Sequence, residues 1–435
     1  MSTFATYFAI FATLNGIILL GSVSPASAYR SFSFKGDIAD NRNPVLSESG
    51  FQNTTLFYGD CSRPYTDVVK QEECILHRVQ ADFSGESPKD DECKITLQSE
   101  SGGNIYMNDI DIYALDKDRA IMRWFEDAQA LYGLHFRFSI VDFSNCKVTT
   151  TKIMWRIDVT LLTDFPSKSP GGFFNDFLKK PRYLKEDDNF QVLSFIDKKV
   201  VNRSSINTEG VISESETWLT YPAYFGHPTV IFPLSKDNGY LLIETSINKP
   251  SMTVAHIQPN GQRKNLTYVE DVHQPMISLA NGLIGICFVE KKTTMICTQF
   301  KLGDKEINWF SASNAVKELG FERAIYNLPR GEGFLTHVSE NTGEIFSRYL
   351  VKIGLDGKVE QLVDTDLKCL FEHQDPAFYK IFEDDQGNYC VSAACMRYYR
   401  KIVPFPFVEG KHVKFQSKCF EPEDFQNISK HEIKA

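Results

Sequence analysis

The residues best placed to do chemistry are few. Asp109-Ile110-Asp111 sets two carboxylates one residue apart, so that in an extended strand both project from one face, as ligands of a divalent cation must. Its flanks, Asn108 and Ile112-Tyr113, suit an ordinary β-strand, and a structural strand is the reading adopted. Asp384-Asp385-Gln386-Gly387-Asn388 opens like a calcium loop. The twelfth position, where a Glu should close such a loop, is Cys395, so a β-turn fits better. The nine histidines (77, 135, 227, 256, 273, 337, 373, 412 and 431) show no pair at i, i+2 or i, i+4, and joint metal or triad use would need convergence from distant segments. A nucleophile elbow, a Gly-rich phosphate loop, a zinc-protease helix and an aspartic-protease Asp-Thr/Ser-Gly are all missing; Asn341-Thr342-Gly343 carries Asn where the last needs its carboxylate. The expectation is a protein with no catalytic residues, no cofactor and no metal. Tryptophans 124, 155, 218 and 309 would stack on sugars if exposed, but are expected in the core.

The ten cysteines are expected to form disulfides instead: 61, 74, 93, 146, 287, 297, 369, 390, 395 and 419. Cys390-Val391-Ser392-Ala393-Ala394-Cys395 lacks the second pair that a metal knuckle requires. Cys287 and Cys297 flank a polar centre, Lys291-Lys292-Thr293-Thr294, between apolar arms; that hairpin pattern brings the two sulfurs opposite each other. Cys61 with Cys74, Cys93 with Cys146, and the last four among themselves complete the expected set. An oxidising compartment agrees with residues 1–28, an uncharged apolar stretch ending in Ala26-Ser27-Ala28, the form of a cleaved signal peptide. It agrees also with four Asn-x-Ser/Thr sites for glycans, Asn53, Asn202, Asn265 and Asn427. The chain is therefore expected to be secreted and extracellular, with no membrane span. The net charge of −9 and the scatter of the lysines argue against nucleic acid as a partner.

Elements that could position any site read as strands. Aromatics make up 13% of the 435 residues, and short alternating runs are punctuated by turn residues. Only Arg119 to Leu131 and Ser313 to Leu319 look helical. Turns recur at Asp90-Asp91, Ser144-Asn145, Asp197-Lys198, Asn260-Gly261, Gly303-Asp304, Asp356-Gly357 and Glu409-Gly410, at intervals averaging about 53 residues. A second, Gly-bearing turn precedes several of them: Asn238-Gly239, Asn281-Gly282, Glu332-Gly333 and Gln386-Gly387. Two hairpins per unit of about 50 residues is the signature of a four-stranded propeller blade. The fold expected is therefore all-β: a disulfide-stabilised β-propeller of residues 29–435 in a single domain, with seven blades, or six if the unit near Cys61 to Cys93 is an addition.

In its length, leader, ten cysteines and lack of catalytic residues, the chain resembles secreted nematode permeable-eggshell-type proteins of the extracellular matrix. Insect yellow and royal-jelly proteins are similar in architecture only. The resemblance implies a non-enzymatic structural or binding component of an eggshell or other extracellular layer, with other secreted matrix proteins or glycoproteins as partners. The alternative is a binder of small ligands, or a hydrolase, that uses the propeller's central channel.

Overall fold

The computed structural model describes residues 30–427 except 39–41, 47–49, 63–67, 84–88, 107–109, 128–132, 152–155, 159–181, 185–188, 198–199, 208, 212–215, 221–228, 236–237, 247–250, 291–293, 313–318, 342–345, 368–376 and 398–410. The leader reading of residues 1–28 lies outside the described residues, as do Asp109, Trp155, Cys369, the Glu409-Gly410 turn and histidines 227, 373 and 431.

The described residues form seven antiparallel sheets that follow one another along the chain. Blade 1 contains Asn43–Val45, Phe51–Gln52, Thr55–Cys61, Gln71–Gln80 and Lys89–Gln98. Blade 2 is built around Asp111–Ala114, Arg119–Asp127, Gly133–Asp142 and Lys147–Thr150. Blade 3 runs from Arg182–Leu184 to Glu216–Thr220, blade 4 from Thr229–Ser235 to Arg263–Glu270, and blade 5 from Val272–Ala280 to Phe310–Ser311. Blade 6 runs from Leu319–Asn327 to Val359–Asp364, with Gln426–Asn427 added at its outer edge.

Blade 7 joins the two ends of the described chain. Three of its strands are Ala377–Glu383, Tyr389–Arg397 and Lys411–Phe420. The fourth is the N-terminal strand Arg30–Ile38, paired from Arg30↔Cys419 to Ile38↔Lys411. The first strands of blades 5, 6 and 7 touch in turn, and Ala377–Glu383 meets Phe51–Gln52, so the ring closes on blade 1. The chain is a seven-bladed β-propeller, and the unit holding Cys61 to Cys93 is a full blade.

The core lies in the slots between blades. Phe32, Phe34 and Phe415 of blade 7 pack on Phe51, Leu56 and Tyr58 of blade 1. Phe57, Leu76 and Ile95 of blade 1 pack on Ile112, Met122 and Trp124 of blade 2. A strand between two such slots is buried on both faces, so its sequence loses the alternation that marks a half-exposed strand. That accounts for the segment from Arg119, expected to be helical: Arg119–Asp127 is a strand, continuously buried from Ala120 to Glu126. Of the second expected helix only Leu319 is described, and it opens a strand.

Most of the described turns fall where the sequence places them. Four share one loop, in which the first residue's N–H donates to the fifth residue's carbonyl and the fourth residue's N–H returns to the first: Asn207 to Val211, Gln258 to Gln262, Gly354 to Lys358, and Asp384 to Asn388. The fourth residue is a glycine at positive φ in each. Asn281-Gly282, with both residues at positive φ, is the two-residue hairpin turn that this dipeptide favours. Asp90-Asp91 departs from expectation: both residues lie inside the strand Lys89–Gln98.

Candidate functional site

The strand found in place of that turn brings a cluster of polar side chains together in blade 1. In the strand Lys89–Gln98, Asp90 and Glu92 share one face and Asp91 points to the other. His77 stands directly across from Glu92, and Tyr58 directly across from His77. His77 Nδ1 is 3.2 Å from each oxygen of Asp90 and 3.8 Å from Glu92 Oε1. The imidazole lies flat on the Tyr58 ring, with centroids 4.4 Å apart and planes 1° from parallel. The Tyr58 hydroxyl donates to Asp90 Oδ2 at 3.4 Å. Burial, and then the negative charge of Asp90, Asp60 and Glu92, push the Tyr58 phenol well above its ordinary range, so it remains a proton donor. Gly36 of the closing strand lies over that hydroxyl; a Cβ there would come within 2.6 Å of it.

On the opposite face, Arg78 donates from Nε and Nη2 to Asp91 and from Nη1 to Asp118 of blade 2, with its guanidinium over the Phe143 ring. This set ties two blades together. A second inter-blade chain of polar groups lies where the first strands of blades 5, 6 and 7 end. Asn281 Nδ2 donates to the Tyr326 hydroxyl, and that hydroxyl donates to Glu383 Oε2 at 3.3 Å. Burial raises both the Tyr326 and Tyr389 phenols, and the Glu383 carboxylate adds to each shift.

The residues singled out in the sequence are dispersed. Asp111 opens a strand and pairs in register with Arg123. Asp384 closes its own turn, its carboxylate accepting from the N–H groups of Gln386 and Asn388 and from Asn388 Nδ2. Trp124 is fully buried and donates to Ser139 Oγ, and Trp309 packs on Phe288. His337 is buried against Tyr379, and His256 Nε2 meets the Asn238 carbonyl. Asn53 and Asn265 are exposed; Asn265, Asn202 and Asn427 all lie in strands, paired in register with Ala255, Ser194 and Gln361. The His77 set has no local signature, because its members come from adjacent strands. The acidic run Asp90-Asp91-Glu92 is its one visible sign, and it reads equally well as a turn.

Cys61–Cys74, Cys93–Cys146, Cys287–Cys297 and Cys390–Cys419 are disulfides. Cys395 is disulfide-bonded as well. Of these four bonds between described cysteines, three join residues directly opposite each other on the two middle strands of the hydrogen-bonded path through blades 1, 5 and 7. The other bond links the last strand of blade 1 to the turn after Gly133–Asp142 of blade 2. Such bonds suit an oxidising compartment. Among the described residues, no helix is long and apolar enough to cross a membrane.

No family model and no curated protein matches the chain. Among solved structures it is similar to prolyl oligopeptidase B from Galerina marginata, at 11% identity and a TM-score of 0.41, over 94% of this chain and 55% of that one. It is similar also to the β-propeller domain of the Trilobed protease from Pyrococcus furiosus, at 7% identity and a TM-score of 0.38, over 84% and 90% of the two chains. Trypanosoma rangeli sialidase is a third, at 8% identity and a TM-score of 0.32, over 88% and 55%. The chain spans little more than half the length of the oligopeptidase and the sialidase. At these identities the likeness concerns fold alone.

Proposed function

We propose that this propeller is a secreted, non-enzymatic binding component of an extracellular layer such as an eggshell, acting by association with other secreted proteins or glycoproteins. The observation that carries the reading is the placement of the disulfides. Three brace the same strand pair in different blades, and a fourth joins neighbouring blades. Cross-links of this kind favour a ring of fixed shape, which a surface for association needs and which survives outside the cell. The exposed Asn53 and Asn265 sequons agree with the same route.

The test uses the purified secreted protein and the solubilised proteins of the layer it enters. It is expected to bind a defined layer component saturably and to turn over no peptidase, glycosidase or esterase substrate. Asp109→Asn/Asp111→Asn is expected to bind as the parent does. Substrate turnover that this variant abolishes without loss of folding would overturn the reading in favour of a metal-dependent enzyme.

A further inference from the structure

We propose that His77, Asp90 and Glu92 form a binding site for a divalent transition-metal ion, of which Zn2+ is the best match, on the face of blade 1 beside the closing strand. The three donor atoms lie within 4.8 Å of one another. Ligands that each sit about 2.1 Å from a tetrahedral or octahedral ion are about 3.0–3.4 Å apart. The 3.2 Å separations between His77 Nδ1 and the Asp90 oxygens already match, and the 3.8 Å to Glu92 closes with a small rotation of an exposed side chain.

Three further observations point to an ion. The His77 side chain is only 9% exposed and turns Nδ1 toward the carboxylates, while among the described residues its Nε2 has no hydrogen-bond partner. The ring is fixed before any ligand arrives: Tyr58 stacks on it and also donates to Asp90, the kind of outer contact that orients metal ligands. Finally, Asp90 and Glu92 are like charges on one strand face, and among the described residues neither is paired with a Lys or Arg. A doubly charged cation would balance both. An imidazole with two carboxylates favours zinc or a neighbouring transition metal over calcium, which takes oxygen ligands. Glu92, 58% exposed, leaves the outer side open for water to complete the coordination.

The test is calorimetric titration of Zn2+ into the tag-free, metal-stripped, full-length secreted protein, with absorption spectra after Co2+ substitution. The expected result is one saturable site per chain, a visible Co2+ band, and a rise in Tm with Zn2+. Glu92→Gln, at an exposed position, should weaken binding at least tenfold, and Asp90→Asn/Glu92→Gln should lose the band and the Tm rise while its Tm without metal stays near that of the parent. The proposal is overturned if the parent takes up no Zn2+, if the double variant binds it as tightly as the parent, or if Ca2+ binds in preference to Zn2+.

Discussion

Asp384 holds the first hairpin of blade 7 with a single carboxylate that accepts three hydrogen bonds. Burial alone would raise its pKa, but the N–H and side chain of Asn388, the N–H of Gln386 and the charge of Arg30 outweigh it and hold the carboxyl below its ordinary range. A carboxyl depressed on folding adds stability that is present above its unfolded pKa and is lost as pH falls through the folded one. Asp384→Asn is therefore expected to cost about 1 kcal/mol at neutral pH, a low figure because the site is half-exposed, and to flatten the acid limb of stability. Urea midpoints measured from pH 6 down to pH 2 check this; parallel profiles for parent and variant would sink it. The turn itself is legible, since Gln386-Gly387 announces it and Cys395 rules out a calcium loop. His77 is different. Its partners Asp90 and Glu92 meet it through strand register, which no local spacing encodes.

At the scale of the hairpin, Gly357 and Gly282 separate two costs that sequence alone merges. Both have positive φ, at 76° and 68°. A Cβ at Gly282 would meet nothing within 4 Å, whereas one at Gly357 would strike the carbonyl oxygen of Ser311 in blade 5. Gly282→Ala should thus cost only the left-handed backbone penalty, about 1–2 kcal/mol. Gly357→Ala should cost roughly 2–4 kcal/mol, because the contact between blades must also open. Chemical denaturation of the two variants decides the matter, and equal losses would refute the claim that blade 6 leans on blade 5 at this turn. Both turns are readable as Asn-Gly and Asp-Gly; the neighbouring blade at one of them is not. The same blindness to neighbours makes the segment from Arg119 look helical. Buried on both faces, Ala120-Ile121-Met122 and Trp124-Phe125 lose the period of two, and Arg123 and Glu126 sit among them with no exposed face to reveal the strand.

Across the whole molecule, the blade number is legible because each blade repeats a local event, two tight turns in about 50 residues. Closure of the ring is not, since Arg30–Ile38 pairs with Lys411–Phe420 across the full length of the chain, and no local pattern encodes that meeting. The disulfides divide along the same line. Cys287–Cys297 spans 10 residues and is visible as a hairpin, whereas Cys93–Cys146 spans 53 and joins two blades. In the chain-entropy view the stabilisation from a cross-link grows with the logarithm of the loop it closes, about 3 kcal/mol for the first and about 4 kcal/mol for the second. Cys93→Ser/Cys146→Ser should therefore lower the denaturation midpoint more than Cys287→Ser/Cys297→Ser does. It should also free blade 1 to open from blade 2, exposing the slot where Ile95 and Leu97 pack on Trp124. Hydrogen exchange would detect that opening as early loss of protection along Lys89–Gln98 and Arg119–Asp127. If protection there survives removal of the bond, the hydrophobic slot alone holds the two blades together, and the inter-blade disulfide serves something other than the rigidity of the ring.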